Sequence, residues 1–225
     1  MKKALLLLTG LLAVAFVSTP AAHADPGVHV GPGTAYTTNP DVDGFCTIAA
    51  VGSDDAGRLV ALTIGHCHQQ AGTPIYKIGE ADRGPIGWET DIWSTNPAGT
   101  FHAVDYAVLE LNPAVVAPSR YGEGSDVVVN SVGDAEPWNI ACKYGPTTGK
   151  TCGALAAFAG IHLQNWALMG PGDSGGPLVV GDKLVGISAG LDAAPEAPFI
   201  YGKIGPILAD IDAQQSFGAG FRPVR

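Results

Sequence analysis

The chain has little charge, and positive charge is especially scarce. Only 15% of its 225 residues are charged, and 12 Lys and Arg against 21 Asp and Glu leave a formal charge of −9. This balance argues against nucleic-acid binding, which requires a basic surface. Global disorder is excluded as well, because 46% of the residues are apolar and few are charged. Glycine (31) and proline (17) are abundant instead, which predicts many turns and few long helices.

Long apolar runs are also missing, with one exception at the N-terminus. Lys2 and Lys3 precede an apolar run over residues 4–17, and residues 22–24 read Ala-His-Ala, the small-residue pattern of a signal peptidase site. The run is too short to cross a bilayer. We therefore expect a signal peptide over residues 1–24, secretion to the extracellular or cell-wall space, and no membrane contact after cleavage. A retained membrane anchor is the alternative.

Cysteine is limited to four residues, Cys46, Cys67, Cys142 and Cys152. An even number in an exported chain predicts two disulfides, with three pairings open. The sequential pairing closes short loops, and each such bond would contribute about 3 kcal/mol. The alternative, a zinc site at His66-Cys67-His68, fits poorly because consecutive strand residues point to opposite faces. We expect no metal.

Short apolar or β-branched segments bounded by Gly, Pro, Asp or Asn recur along the chain and predict strands. These segments are residues 45–51, 58–64, 105–111, 127–132, 138–144, 152–163, 178–180, 184–188 and 199–201. Such spacing is typical of a β-sandwich or barrel. Pro206, followed by an apolar stripe to Ile211, predicts one helix near the end. Residues 25–44 are rich in Gly and Pro and predict an irregular N-terminal arm.

A serine lies within a glycine-rich string at residues 170–177, Gly-Pro-Gly-Asp-Ser-Gly-Gly-Pro. Ser174 is expected on a tight turn where no neighbouring side chain blocks its hydroxyl, and Gly172 can adopt unusual backbone angles. The backbone N–H groups of Gly172 and Ser174 would then form an oxyanion hole, in which one donor is worth about 10²–10³-fold in rate. The alternative is a glycine-rich turn with an incidental serine.

Two further residues have the character of a base and its orienting acid. His66 ends an apolar strand and precedes Cys67, whose disulfide would anchor the imidazole. Asp105 begins the apolar strand 106–109, and a partly buried carboxylate there needs a partner such as His66. A packed histidine and an exposed strand-start aspartate are the respective alternatives.

The order of these residues along the chain separates the classes of hydrolase. The α/β-hydrolases place the acid and the histidine after the nucleophile, and no histidine follows Ser174 here. The subtilisin order begins with aspartate on an α/β fold, whose repeated helices this chain lacks. Only the order His66, Asp105, Ser174 coincides with distinctive local motifs.

In these motifs the sequence resembles the chymotrypsin-like serine peptidases. Within this family it is most similar to the secreted actinobacterial branch of streptogrisins and α-lytic proteases. Residues 65–67, 105–108 and 172–177 match the three family motifs in order, and residues 142–153 are similar to the disulfide hairpin of that branch. The resemblance extends from about residue 45 to residue 211.

The resemblance implies an all-β fold of two antiparallel six-stranded β-barrels, with the active site in the cleft between them and a short C-terminal α-helix. Beyond the signal peptide (1–24) and the N-terminal arm (25–44), residues 45–120 would form the first barrel. Residues 121–225 would form the second barrel with the helix and tail.

The same resemblance implies the roles of the site residues. His66 would be the general base and acid, Asp105 the orienting acid and Ser174 the nucleophile. Ser188, Ala189 and Gly190 would bind the substrate backbone, with the Ser188 hydroxyl near the Asp105 carboxylate.

Lys143, in the disulfide hairpin, takes the place of the basic residue that holds the acid before the nucleophile in this branch, so we expect an ion pair with Asp173. Two departures accompany the match. Ile64 replaces a small residue and is expected to crowd the histidine motif, and Leu168 and Met169 stand where a second-barrel cysteine is usual.

The sequence therefore predicts a secreted, monomeric serine endopeptidase that acts on peptides or proteins without a cofactor or metal. The absence of charge at Leu168, Met169, Ala189 and Gly190 favours a small or apolar residue before the cleaved bond. Two alternatives remain: a non-catalytic binding protein on the same fold, and an esterase that uses the same residues.

Overall fold

A computed structural model describes residues 27–41, 43–95, 104–191 and 199–225. The expected signal peptide lies outside these ranges. Within them the chain is mostly β-strand, with one α-helix near the C-terminus, as expected for an all-β protein.

The first half of the chain supplies nine strands and two short 3-10 turns, Gly65–Cys67 and Ala81–Arg83. The strands are β1 (Val28–Val30), β2 (Ala35–Thr37), β3 (Cys46–Thr47), β4 (Ala50–Ser53), β5 (Leu59–Thr63), β6 (Pro74–Lys77), β7 (Gly87–Ser94), β8 (Tyr106–Leu111) and β9 (Val116–Pro118). The predicted hairpin of β4 and β5 is present, with Ser53 opposite Leu59. Its turn includes Gly57, whose φ of +77° favours glycine.

The second half supplies seven strands, the helix and a C-terminal strand. These are β10 (Ser131–Val132), β11 (Ile140–Gly145), β12 (Gly149–Ala159), β13 (His162–Asn165), β14 (Pro177–Val180), β15 (Lys183–Leu191), β16 (Phe199–Lys203), α1 (Ile204–Gln214) and β17 (Arg222–Pro223). The helix begins just before the predicted Pro206 and buries Ile204, Ile207 and Ile211.

The two predicted barrels are both recognisable, but they differ in closure. In the second, β15, β14, β11, β12, β13 and β16 pair in sequence, and β16 pairs back to β15, so six strands close a barrel. In the first, eight strands pair in the order β17-β4-β5-β8-β7-β6-β2-β3 and form a curled half-barrel sheet. The expected all-β fold with a C-terminal helix is confirmed.

The N-terminal arm is regular where the sequence predicted an irregular segment. β1 pairs in parallel with β9, and β2 joins the first sheet beside β6. A Cβ atom at Gly31 would lie 2.5 Å from the carbonyl oxygen of Tyr121. Gly31 therefore reflects close backbone approach to the connection between the barrels.

The largest apolar core lies between the two barrels and joins them. It combines side chains from the first sheet, the second barrel and the helix, including Leu62, Ile64, Val108, Val129, Ile187 and Ile207. Burying one such side chain is worth about 1.5–3 kcal/mol. Ile64 is fully buried in this core, and the crowding expected at the histidine motif stays a prediction.

Both disulfides follow the sequential pairing, Cys46–Cys67 and Cys142–Cys152. The first ties β3 to the turn that carries His66, and the second joins β11 to β12. Because Cys67 is bonded to Cys46, the alternative zinc site at residues 66–68 does not form.

Candidate active site

His66 and Asp105 are brought together by the register of two paired strands. His66 follows β5 and Asp105 precedes β8, and these strands are antiparallel with Thr63 opposite Ala107. His66 Nδ1 lies 2.8 Å from Asp105 Oδ2, and the His66 backbone N–H donates to Oδ1 at 3.0 Å. Because an ionised carboxylate only accepts, Nδ1 carries the proton and Nε2 is left as the basic nitrogen.

The turn that holds His66 depends on a glycine before it. A Cβ atom at Gly65 would lie only 1.8 Å from the carbonyl oxygen of Ser94, at the end of β7. After the turn, the buried carboxylate of Glu89 accepts the backbone N–H groups of Gln69 and Gln70. The imidazole is therefore fixed on both sides by backbone packing.

Ser174 lies on a tight turn that leads into β14. Gly172 and Gly175 have φ angles of +94° and +88°, which favour glycine. A Cβ at Gly172 would lie 2.4 Å from the Phe45 ring, and one at Gly175 would lie 2.2 Å from the Thr47 carbonyl oxygen. The glycine-rich string is thus required both for backbone conformation and for close approach to the first barrel.

A cavity of about 600 Å³ is lined by both His66 and Ser174. Phe45 and Gly172 form part of the same wall. Within the described ranges, Ser174 Oγ makes no hydrogen bond to the imidazole, so the shared cavity is what associates the two side chains. The structure therefore places the Ser174 hydroxyl and the His66 imidazole along one cavity.

Two backbone donors of the serine loop are free. The Asp173 N–H donates to Gly170 O at 3.0 Å, and the Gly175 N–H donates to Ser188 O at 2.8 Å. Over the described part of the chain, the N–H groups of Gly172 and Ser174 have no protein acceptor. These are the two donors that the sequence assigned to an oxyanion hole.

The predicted Lys143–Asp173 ion pair is confirmed. Both side chains are fully buried, and Lys143 Nζ lies 2.8 Å from Asp173 Oδ2. Asp173 also accepts the N–H groups of Thr147 (2.9 Å) and Gly170 (3.0 Å). The Thr148 hydroxyl donates to Asp173 Oδ2 at 2.6 Å. Although burial opposes it, the bonds from Lys143, Thr148 and Gly170 hold the pKa of the Asp173 carboxyl below its usual value. Burial lowers the pKa of Lys143, against the opposing effect of Asp173.

Ser188 is buried, and its surroundings differ from the expectation. Its N–H donates to Gly176 O at 2.9 Å and its carbonyl accepts the N–H of Gly175, so its backbone braces the serine loop. Ser188 Oγ has no hydrogen-bond partner among the described residues, and both Asp105 oxygens are bonded to His66. The expected proximity of that hydroxyl to Asp105 stays a prediction. Ala189 and Gly190 continue β15 beyond the end of its pairing with β14 at Ile187.

Sequence reasoning missed two threonines that contact the serine loop. Thr47 Oγ1 donates to Gly172 O at 2.7 Å, and Thr147 Oγ1 donates to Pro171 O at 2.6 Å. The one available signal was position, because Thr47 follows a predicted disulfide cysteine and Thr147 lies in the predicted disulfide hairpin.

Comparison with known proteins finds an uncharacterized relative and a serine protease. No protein-family model matches the chain. The uncharacterized protein Rv1815 of Mycobacterium tuberculosis is 29% identical over 175 residues, which cover 75% of this chain and 73% of that protein. Serine protease 2 of Streptomyces fradiae is 26% identical over 161 residues, which cover 65% of this chain and 87% of that protein.

Solved structures agree with these relatives. Thermobifida fusca protease A superposes with a TM-score of 0.61 at 21% identity, over 88% of this chain and 99% of that chain. An inactivated protease paralogue of the scabies mite superposes with a TM-score of 0.56 at 14% identity, over 88% and 99% of the two chains. The chain therefore has the chymotrypsin-like fold, and its resemblance to the actinobacterial chymotrypsin-like serine proteases is confirmed.

Proposed function

We propose that this chain is a secreted serine endopeptidase that hydrolyses peptide bonds through an acyl-enzyme on Ser174. The observation that carries the proposal is that His66, hydrogen-bonded to Asp105, lines one cavity with Gly172 and Ser174, whose N–H groups have no acceptor among the described residues.

In the proposed mechanism, Ser174 Oγ attacks the carbonyl carbon of the substrate while His66 Nε2 accepts the hydroxyl proton. Asp105 keeps the proton on Nδ1 and stabilises the imidazolium. The N–H groups of Gly172 and Ser174 stabilise the oxyanion. His66 then donates its proton to the leaving amine, and water, activated by His66, hydrolyses the acyl-enzyme and restores Ser174. No step requires a cofactor.

The geometry of β15 supports a peptide as substrate. Pairing of β14 with β15 ends at Ile187, so the edge at Ala189 and Gly190 has no β14 partner. An extended peptide that pairs with this edge would gain backbone hydrogen bonds, a common mode of peptide recognition. Leu168, Met169, Ala189 and Gly190 carry no charge, which supports a small or apolar residue before the cleaved bond.

Secretion is supported by the two disulfides, because such bonds persist in oxidising compartments. Across the described ranges no helix has the length and apolar character needed to cross a membrane. The monomeric state stays a prediction.

Two alternatives share the fold. A non-catalytic binding protein is favoured by the missing hydrogen bond between Ser174 and His66 and by the similarity to an inactivated paralogue. An esterase would use the same residues.

Incubation of the purified protein with a peptide library, beside a Ser174→Ala control, tests the proposal. We expect cleavage after small or apolar residues by the wild type alone. Cleavage of esters without amides would indicate the esterase, and peptide binding without cleavage would indicate the binding protein. A profile dominated by Arg or Lys would overturn the expected specificity.

A further inference from the structure

The loop that leads to Ser174 is held through three successive carbonyl groups. The carbonyl of Pro171 accepts Thr147 Oγ1 at 2.6 Å, and that of Gly172 accepts Thr47 Oγ1 at 2.7 Å. The carbonyl of Asp173 accepts the N–H of Gly176 at 3.0 Å. Only the last of these bonds is internal to the loop, so the first two depend on threonine hydroxyls elsewhere in the chain.

Holding a carbonyl also sets the direction of the N–H in the same peptide group. Peptide groups are planar, and those of the described residues are all trans, so the N–H points away from the carbonyl. The N–H of Gly172 shares its peptide with the carbonyl of Pro171. The bond from Thr147 therefore fixes the direction of one of the two free donors.

The Pro171–Gly172 peptide group needs such a restraint because glycine contributes its N–H. Gly172 has a φ of +94°, and glycine adopts positive and negative φ about equally readily. Rotation of the Pro171–Gly172 peptide would point the N–H away from the cavity and the carbonyl toward it. Among the described residues, the N–H of Gly172 has no acceptor that would resist that rotation.

Both threonines are themselves anchored, one in each barrel. The Thr147 N–H donates to Asp173 Oδ1 at 2.9 Å, next to the buried Lys143. Thr47 is fully buried in β3, where its N–H donates to Ser174 O at 2.8 Å and its carbonyl accepts Thr63 Oγ1 at 2.7 Å. Each hydroxyl is thus held at a fixed place relative to the serine loop.

We propose that Thr147 and Thr47 are positioning residues that hold the oxyanion loop in its active orientation, one from each barrel. Thr147 orients the Gly172 donor, and Thr47 holds the next peptide, whose Asp173 N–H is bonded to Gly170 O. Neither side chain acts on the reacting atoms. The inference rests on the proposed function, because it assigns these bonds to an oxyanion hole.

The test compares Thr147→Val, which removes the hydroxyl, with Thr147→Ser, which keeps it. Thr147 is exposed, so valine there buries no unpaired polar group. Thr73→Val is the matched control: its hydroxyl donates a bond of the same 2.6 Å length to a carbonyl, that of Gln70, which also accepts the Thr73 N–H.

We expect Thr147→Val to lower kcat about tenfold with KM unchanged, short of the 10²–10³-fold loss caused by removing an oxyanion donor outright. Inhibition by a peptide boronate, whose oxygen occupies the oxyanion position, should weaken in parallel. The serine variant should restore both values, and the control should match the wild type. Thr47→Val should act in the same direction, with a thermal melt to confirm that this buried variant is folded.

Two results would overturn the inference: wild-type kcat and boronate inhibition in Thr147→Val, or a change confined to KM. Failure of the proposed function can be distinguished from failure of this inference, because the wild-type protein would then hydrolyse no peptide. In that case crystal structures of the wild type and Thr147→Val decide. If the Pro171–Gly172 peptide group is rotated only in the variant, Thr147 restrains its orientation. If the peptide group has the same orientation in both structures, the inference is refuted.

Discussion

The two barrels hold their active-site groups in different ways. In the first, strand register places the His66 and Asp105 side chains in direct contact, and a disulfide anchors the turn that carries His66. In the second, the serine lies on a glycine-rich loop whose backbone is held from outside, by a buried ion pair and by hydroxyl-to-carbonyl bonds. The position of His66 thus depends on side-chain contacts, whereas Ser174 and the N–H groups of its loop depend on the restraint of a glycine-rich backbone.

Removal of Ser174, the proposed nucleophile, should have the most severe consequence for activity. Ser174→Ala should lower kcat on a peptide substrate by about 10⁶-fold, because the loss of one triad member disables covalent catalysis as a unit. Single-turnover kinetics with a chromogenic peptide would measure it. An unchanged melting temperature is the control, and residual activity within tenfold of the wild type would contradict the assignment.

The first barrel is tested by Asp105→Asn. The amide preserves the shape of the side chain but favours the wrong imidazole tautomer, and we expect a fall in kcat of about 10⁴-fold at neutral pH. A full pH–rate profile would record the effect. An activity close to that of the wild type would show that Asp105 does not orient His66.

The second barrel is tested by Lys143→Ala. This change leaves the carboxylate of Asp173 buried without its cation, and the loss of one partner of a buried pair costs about 3–5 kcal/mol. We expect denaturant unfolding at lower concentration and reduced activity, although His66 and Asp105 are intact.

Lys150→Ala is the matched control for that prediction. Lys150 lies in the same hairpin but pairs with the exposed Asp126 at the surface, where ion pairs contribute little. Equal effects of the two lysine variants, or none from Lys143→Ala, would contradict a special role for the buried pair.

The smallest expected effect concerns pH and a buried carboxylate of the first barrel. Burial alone would raise the pKa of Asp54, but hydrogen bonds from the backbone and side chain of Arg58 lower it. A carboxyl whose pKa is lower in the folded state adds stability above its unfolded pKa and loses it as pH falls through the folded pKa. We therefore expect stability to drop in acid, below the ordinary aspartate value of 3.8.

Asp54→Asn separates an effect on stability from an effect on activity, because this carboxylate is far in sequence from the serine loop. We expect lower stability at neutral pH, a shallower decline in acid, and unchanged kcat. Denaturant titrations at several pH values would measure how the free energy of unfolding changes with pH. The idea fails if the variant retains the wild-type acid dependence, or if its kcat falls as in Lys143→Ala.

Sequence patterns were informative where the chemistry is local. His66, Asp105 and Ser174 each lie in a short motif, and Lys143 was predictable from its hairpin. The N-terminal arm was predicted to be irregular, but it contains β1 and β2. Gly31 follows β1 at a point where the backbone packs closely against Tyr121. Only the second barrel closes. This difference depends on strand pairing between residues far apart in the sequence, which no local pattern encodes.

The threonine contacts mark the limit of such prediction. Thr47 and Gly172 are 125 residues apart, and a hydroxyl that bonds to a backbone carbonyl leaves no pattern at either position. The Ser188 hydroxyl, which has no hydrogen-bond partner among the described residues, was equally unpredictable, because its surroundings depend on the packing of β15 against the serine loop.

The central claim is that His66 activates Ser174. It is tested most directly by labelling the folded protein with a peptidyl phosphonate and mapping the adduct by mass spectrometry. The account predicts one adduct, on Ser174, formed rapidly by the wild type, slowly by His66→Ala and not at all by Ser174→Ala. No adduct on folded wild-type protein, or equal labelling rates in wild type and His66→Ala, would contradict it.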